Sequence, residues 1–150
     1  MISGAPGAGH VQVRPVMLLA AVLAAEQVSF VLVGSAALRL RGETIRVADI
    51  DVVPDPAEAN LAALHAALTA LASRRRLVPP PRCLAALDTV SVPTRYGKLD
   101  CLLGRGRRNW ARLRQHGGPV MIADAEVLVA SAADARALRR AFKGDQHERA

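Results

Sequence analysis

Apolar positions fall in short blocks whose lengths predict helices alternating with brief strands. Val16 to Ala25 is a continuous Val, Met, Leu and Ala block behind Pro15. It runs into polar Glu26-Gln27, which predicts a first helix over Pro15–Gln27. Ser29–Val33 is a short run ending at Gly34 and reads as a buried central strand. Ser35 then opens a short helix, Ala36–Arg41, which Gly42 closes. Ala48–Val53 reads as a second strand stopped by Pro54, and Pro56 starts a long helix to about Ala72. Within that helix Leu61, Leu64, Leu68 and Leu71 form one apolar stripe. Ser73–Arg82 reads as a linker, because three arginines and then Pro79-Pro80-Pro81 suit neither a helix nor a central strand.

Beyond the linker, Asp88–Val92 and Lys98–Leu103 predict a hairpin turning through Pro93 and Gly97. Asn109–His116 predicts a short basic helix, which Gly117-Gly118-Pro119 breaks. Val120-Met121-Ile122 reads as a brief extended segment, and Asp124–Ser131 and Asp134–Lys143 as C-terminal helices. The order predicts a mixed α/β fold, a small mixed β-sheet covered by helices. The length of 150 residues fits one domain over residues 13–143. Residues 1–12, rich in glycine, read as a disordered tail, and residues 144–150 as a flexible one.

Composition changes this picture little. Half the residues are apolar and only four are aromatic, which suits helices packed on a sheet through small aliphatic side chains. The block at Val16–Ala25 has the small-residue end of a secretory leader, but Arg14 is the one basic residue before it. It is too short to span a bilayer, and the strand that follows needs a covering helix. A net charge of +7 and a pI near 10.9 favour a polyanionic partner, either nucleic acid or nucleotide phosphates. Cys83 and Cys101 form no metal-ligand spacing, and His10, His65, His116 and His147 form none either. A reduced, cytoplasmic setting away from membranes is expected.

The chemistry concentrates in isolated acids. Asp49 and Asp51 are two apart, so a strand would project both carboxylates to one face, roughly 6–7 Å apart. Like charges so placed need a cation, and hard oxygen ligands suit magnesium. Asp100 is a third acid in the apolar run Lys98–Leu103; a competing reading pairs it with Lys98 at a hairpin edge. Gly34-Ser35 sits where a strand turns into a helix, where free backbone amides suit a phosphate.

Val33-Gly34-Ser35 followed by Asp49-Ile50-Asp51 resembles the signature of the nucleotidyltransferase superfamily related to DNA polymerase beta. The fuller stretch from Val33 to Gly42 and from Arg46 to Val53 most resembles small bacterial AbiEii-type toxin nucleotidyltransferases. The resemblance implies a nucleotidyltransferase fold and two magnesium ions on Asp49, Asp51 and Asp100, the last also activating the attacking hydroxyl. It implies that Gly34, Ser35 and Lys98 contact the nucleoside triphosphate. The implied reaction moves a nucleoside monophosphate onto a hydroxyl of tRNA, another RNA or a protein. A cognate antitoxin protein is the implied partner.

Two positions depart from that group: Val47 stands where threonine is usual, and Ala132 where a C-terminal lysine is usual. Lys98, Arg136, Arg139 and Lys143 are candidates to replace that lysine. The alternative function is a catalytically weak domain of the same fold that binds a nucleotide, nucleic acid or partner protein. An aminoglycoside-type enzyme fits less well, because no acceptor-binding domain remains. Arg105, Arg107, Arg108, Arg112 and Arg114 surround Trp110. They read equally as a grip for single-stranded RNA and as a solvated helix face with Trp110 as its core anchor.

Overall fold

The computed structural model describes residues 14–149, so the expected tail at residues 1–12 lies outside it. Behind a 3-10 turn at Pro15–Met17, helix α1 (Leu18–Ala25) leads to strand β1 (Phe30–Val33). Helix α2 (Gly34–Leu40), strand β2 (Ile50–Pro54) and helix α3 (Glu58–Leu71) follow. The expected linker instead holds a 3-10 turn at Arg75–Leu77 and helix α4 (Pro81–Leu84). Pro81 takes the first helical position, where proline has no hydrogen bond to lose. The hairpin is β3 (Thr89–Thr94) and β4 (Gly97–Leu102); then come α5 (Gly104–His116), β5 (Gly118–Ile122), β6 (Ala125–Val129) and α6 (Ala132–Arg149). Helix α6 runs on through residues 144–149 of the expected C-terminal tail.

These strands form one mixed six-stranded sheet in the order β3-β4-β2-β1-β6-β5. All four β1 residues are buried, so helices cover both faces of the sheet at its centre. Leu19 and Leu23 of α1 and Leu61, Leu64 and Leu68 of α3 are buried in the core, as the leucine stripe predicts. Helix α5 packs on β1 and β2, and Gly106 lets its backbone close in. A Cβ there would lie 2.6 Å from Val53 Cγ1. Among the described residues, no helix is long and apolar enough to cross a membrane.

The segment expected as a helix over Asp124–Ser131 is strand β6. Ala123 and Asp124 both have positive φ, at 48° and 67°, and link Ile122 to Ala125 as a two-residue hairpin turn. Within β6, Val127 and Val129 are buried while Glu126 is exposed, a period of two in too short a run to separate from a helix pattern. The hairpin then adds β6 parallel to β1, through Leu32 and Val129.

Two polar clamps hold this arrangement. Asn60 accepts a hydrogen bond from Ser29 N–H at 2.7 Å and donates to the Ser29 and Asp55 carbonyls at 2.8 and 2.9 Å. It thereby fixes α3 to the entry of β1. Arg41, just past α2, donates to the carbonyls of Val129 (2.8 Å), Ala130 (3.1 Å) and Gly118 (3.3 Å). These groups lie at the ends of β5 and β6, far away in sequence. Hydrogen bonds from a charged donor contribute about 1.5–3 kcal/mol, so Arg41→Met should destabilise the chain by about 1–3 kcal/mol in urea unfolding. A loss of only a few tenths would show that water replaces these bonds.

Candidate active site

The cleft starts where β1 ends. Gly34 has φ +69°, a left-handed conformation that glycine adopts without strain. A Cβ at this position would collide with Asp51 Oδ2, so glycine also makes the room that carboxylate occupies. The register explains the closeness, since Val33 pairs with Asp51 across the antiparallel β1–β2 ladder. On the other side of β2, Asp51 pairs with Asp100 in the parallel β2–β4 ladder. Strand pairing therefore places the first turn of α2, Asp51 and Asp100 side by side. Asp49 sits at a bend just before β2 rather than within it.

Asp49, Asp51 and Asp100 line one cleft of about 500 Å³, together with Gly34, Ser35 and Lys98. All six residues expected at the site are thus brought together. Val33 is the N-cap of α2 and offers no side-chain cap, and Ser35 in the first turn lines the cleft. The acids do not form a closed cage: among the described residues, no three His, Cys, Asp or Glu side chains are set to enclose an ion. Asp51 abuts Asp100, whereas Asp49 meets them through Lys98. The Lys98 ammonium lies 3.5 Å from Asp49 Oδ2 and 3.6 Å from Asp100 Oδ2. Asp100 also accepts a 2.5 Å hydrogen bond from Ser91 Oγ on β3.

This crowding sets the charges. Burial, the neighbouring Asp100 charge, a hydrogen bond to Asp100 and the Asp49 charge push the Asp51 carboxyl up to about 7, while Lys98 pulls the other way. Asp100 and then Asp49 hold Lys98 above its ordinary value, so its ammonium stays charged. Cys101, the β4 neighbour of Asp100, is a free thiol, buried and pushed up to about 12 by burial and the Asp100 and Asp51 charges. It packs as a small apolar side chain, as expected.

The cleft also carries cations that the sequence did not single out clearly. Arg46 and Arg139 line the cleft. Of the candidates to replace the C-terminal lysine, Arg139 alone reaches the cleft without an acidic partner among the described residues. Arg136 is held 2.5 Å from Glu43 Oε2, Lys98 is shared between Asp49 and Asp100, and the Lys143 side chain lies outside the described ones. No described side chain of the basic helix α5 lines the cleft. Trp110 packs against the core, Arg112 pairs with the buried Asp134 at 3.3 Å, and Arg107 bonds the Ala85 carbonyl. That arrangement favours Trp110 as a core anchor.

The donor set fits magnesium, which takes few carboxylates and completes its shell with water and phosphate oxygens. Asp51 and Asp100 offer adjacent oxygens whose mutual repulsion a divalent ion would relieve.

No family model matches the chain, and no curated protein matches it. Among solved structures it is similar to the crystal structure of a Thermotoga maritima protein proposed to be a nucleotidyltransferase. The two share 18% identity with a TM-score of 0.61, over 93% of this chain and 92% of that one. The mixed α/β fold expected from sequence is therefore the observed one, and it is the fold of that protein.

Two outcomes follow from the geometry. Gly34→Ala should cost at least about 1–2 kcal/mol in urea unfolding from left-handed strain alone. Adding Asp51→Ala should recover the steric part of the loss and leave the strain; no recovery would refute the close approach. Asp51 binds its proton in the folded chain up to about pH 7, against an ordinary value of 3.8. Its ionisation therefore removes stability as pH rises through that window. Asp51→Asn should melt higher than the wild type at pH 8 in metal-free buffer, with the gain vanishing near pH 4. An equal gain at both pH values would refute the raised carboxyl.

Proposed function

We propose that this chain is a nucleotidyltransferase that moves a nucleoside monophosphate from a triphosphate to an acceptor hydroxyl. The observation that carries the reading is the convergence of Asp49, Asp51 and Asp100 beside Gly34-Ser35 in one cleft. The first turn of α2 would face the triphosphate, where Gly34 permits close backbone approach and Ser35 adds a hydroxyl. Arg139 and Arg46 would pair with phosphate oxygens, Arg139 in place of the lysine replaced by Ala132. Asp51 and Asp100, with Asp49, would hold two magnesium ions, and Lys98 would then be released from the acids towards the phosphates. Bound magnesium supplies charge neutralisation for the departing pyrophosphate and lowers the pKa of the attacking hydroxyl. Asp100, the least exposed partner of Lys98, would take the proton of the attacking hydroxyl.

The Val33–Gly42 and Arg46–Val53 motifs support the finer reading, a small toxin of AbiEii type. Its acceptor would be a hydroxyl of tRNA or of a protein, and its partner a cognate antitoxin, in the cytoplasm. Ala132 favours the second reading, a domain that binds a nucleotide or partner without turnover. Incubation with each α-labelled triphosphate, magnesium, total tRNA and candidate proteins separates the two. The wild type should transfer label to one acceptor class. Asp51→Asn and Asp100→Asn should each lower transfer by about 100-fold or more, since electrostatic assistance by metal ions amounts to several kcal/mol. Triphosphate binding without transfer to any acceptor would establish the second reading and refute the first.

A further inference from the structure

Ser91 lies on the edge strand β3, directly across from Asp100 in the β3–β4 ladder. Its hydroxyl donates to Asp100 Oδ1 at 2.5 Å, the short range of an O–H bond to a carboxylate. Ser91 is exposed and lines the same cleft as Gly34, Asp51 and Arg139. Thr89 shares that face two residues away and also lines the cleft, yet it has no hydrogen bond to an acid among the described residues. Ser91 is therefore singled out from its neighbour by one contact.

That contact is the one a transferred group's acceptor requires. The oxygen is reachable from the cleft, and its proton already points at a carboxylate. An external acceptor hydroxyl that used Asp100 would have to displace Ser91 from it first. We propose that Ser91 is itself an acceptor, so that the chain modifies its own β3 strand with a nucleoside monophosphate. This inference rests on the nucleotidyltransferase reading of the same cleft.

The step balances without an oxidant or reductant. Ser91 Oγ attacks the α-phosphorus of a nucleoside triphosphate, and a new Oγ–P bond forms. The bond from that phosphorus to the oxygen bridging to the β-phosphorus breaks, and its electron pair leaves with pyrophosphate. The serine proton passes to Asp100 Oδ1. The product is a phosphodiester joining Ser91 to a nucleoside. It remains inside the cleft beside Asp100 and Lys98, so one modification blocks the next and the reaction stops at a single nucleotide per chain.

The purified full chain is incubated with magnesium and each α-labelled triphosphate, with no other acceptor present. Label is followed by intact mass and by tandem mass spectrometry of peptides, and triphosphate binding by equilibrium dialysis. We expect covalent label on Ser91, approaching one nucleotide per chain. Ser91→Ala should lower labelling by about tenfold or more, and Ser91→Thr, which keeps a hydroxyl, should retain it, since each tenfold reflects only about 1.4 kcal/mol of barrier. Melting curves check that both variants are folded. Label that persists in Ser91→Ala, or that maps to Thr89 or elsewhere, overturns the proposal. Triphosphate binding without self-labelling also overturns it while leaving the nucleotidyltransferase reading in place; neither binding nor labelling overturns both.

Discussion

Asp51 and Asp100 face each other across a parallel strand pair, and two carboxylates held that close cannot both ionise without a cation between them. Most of the site's architecture can be read as a response to that constraint. Gly34 lacks a side chain where the Asp51 carboxylate needs space. Lys98, two residues before Asp100 on β4, leans over the cleft and shares its charge between Asp100 and Asp49. Ser91 offers Asp100 a hydrogen bond from the neighbouring strand. What repulsion these contacts leave is relieved by a proton on Asp51. Under the proposed function, a hard divalent ion would meet the same electrostatic shortfall and do the work of proton and lysine together.

The rest of the fold holds this pair in register and closes the cleft. Asp51 and Asp100 come from β2 and β4 and Asp49 from the bend before β2, whereas Arg139 comes from α6 at the far end of the chain. Arg41 joins the two halves, because it extends from α2, the helix that begins at Gly34, to the carbonyls where β5 and β6 meet α6. The arginines thus divide by task. Arg41, Arg107, Arg112 and Arg136 are committed to carbonyls or acids of the chain itself. Arg46 and Arg139 present their charge to the cleft. A high net charge alone does not distinguish these uses.

How much of this was legible in the sequence depended on how local the signal was. Gly34-Ser35 and Asp49-Ile50-Asp51 could be read because strand, turn and acid spacing are set by a few consecutive residues. Asp100 could be read because a lone acid in an apolar strand is costly without a partner. Strand β6 carries no such signal, since five residues hold too little periodicity and the Ala123-Asp124 turn lacks the glycine that usually marks such a hairpin. The linker hid two helical turns behind its prolines. Ser91 has no distinguishing neighbour in sequence; its contact with Asp100 emerges only from the ladder that sets the two across from each other. Arg139 could be named as one of several cations but not chosen, because the choice depends on which face α6 turns to the sheet.

The strand order has a consequence for the making of the protein. β1 is the first strand in sequence yet lies inside the sheet, between β2 and β6. A ribosome delivers the chain from its N-terminus. The hydrogen-bonding partners of β1 on the β2 side are therefore available once residue 54 has emerged, but those on the other side wait for Val129. During that interval a nascent chain can assemble its acid cluster while the backbone N–H and C=O groups of apolar Val31, Leu32 and Val33 keep one bare edge, the kind that recruits foreign strands. A product cut short before residue 125 would keep the acids and that adhesive edge, without Arg139 beside the cleft or the Arg41 bonds to Val129 and Ala130.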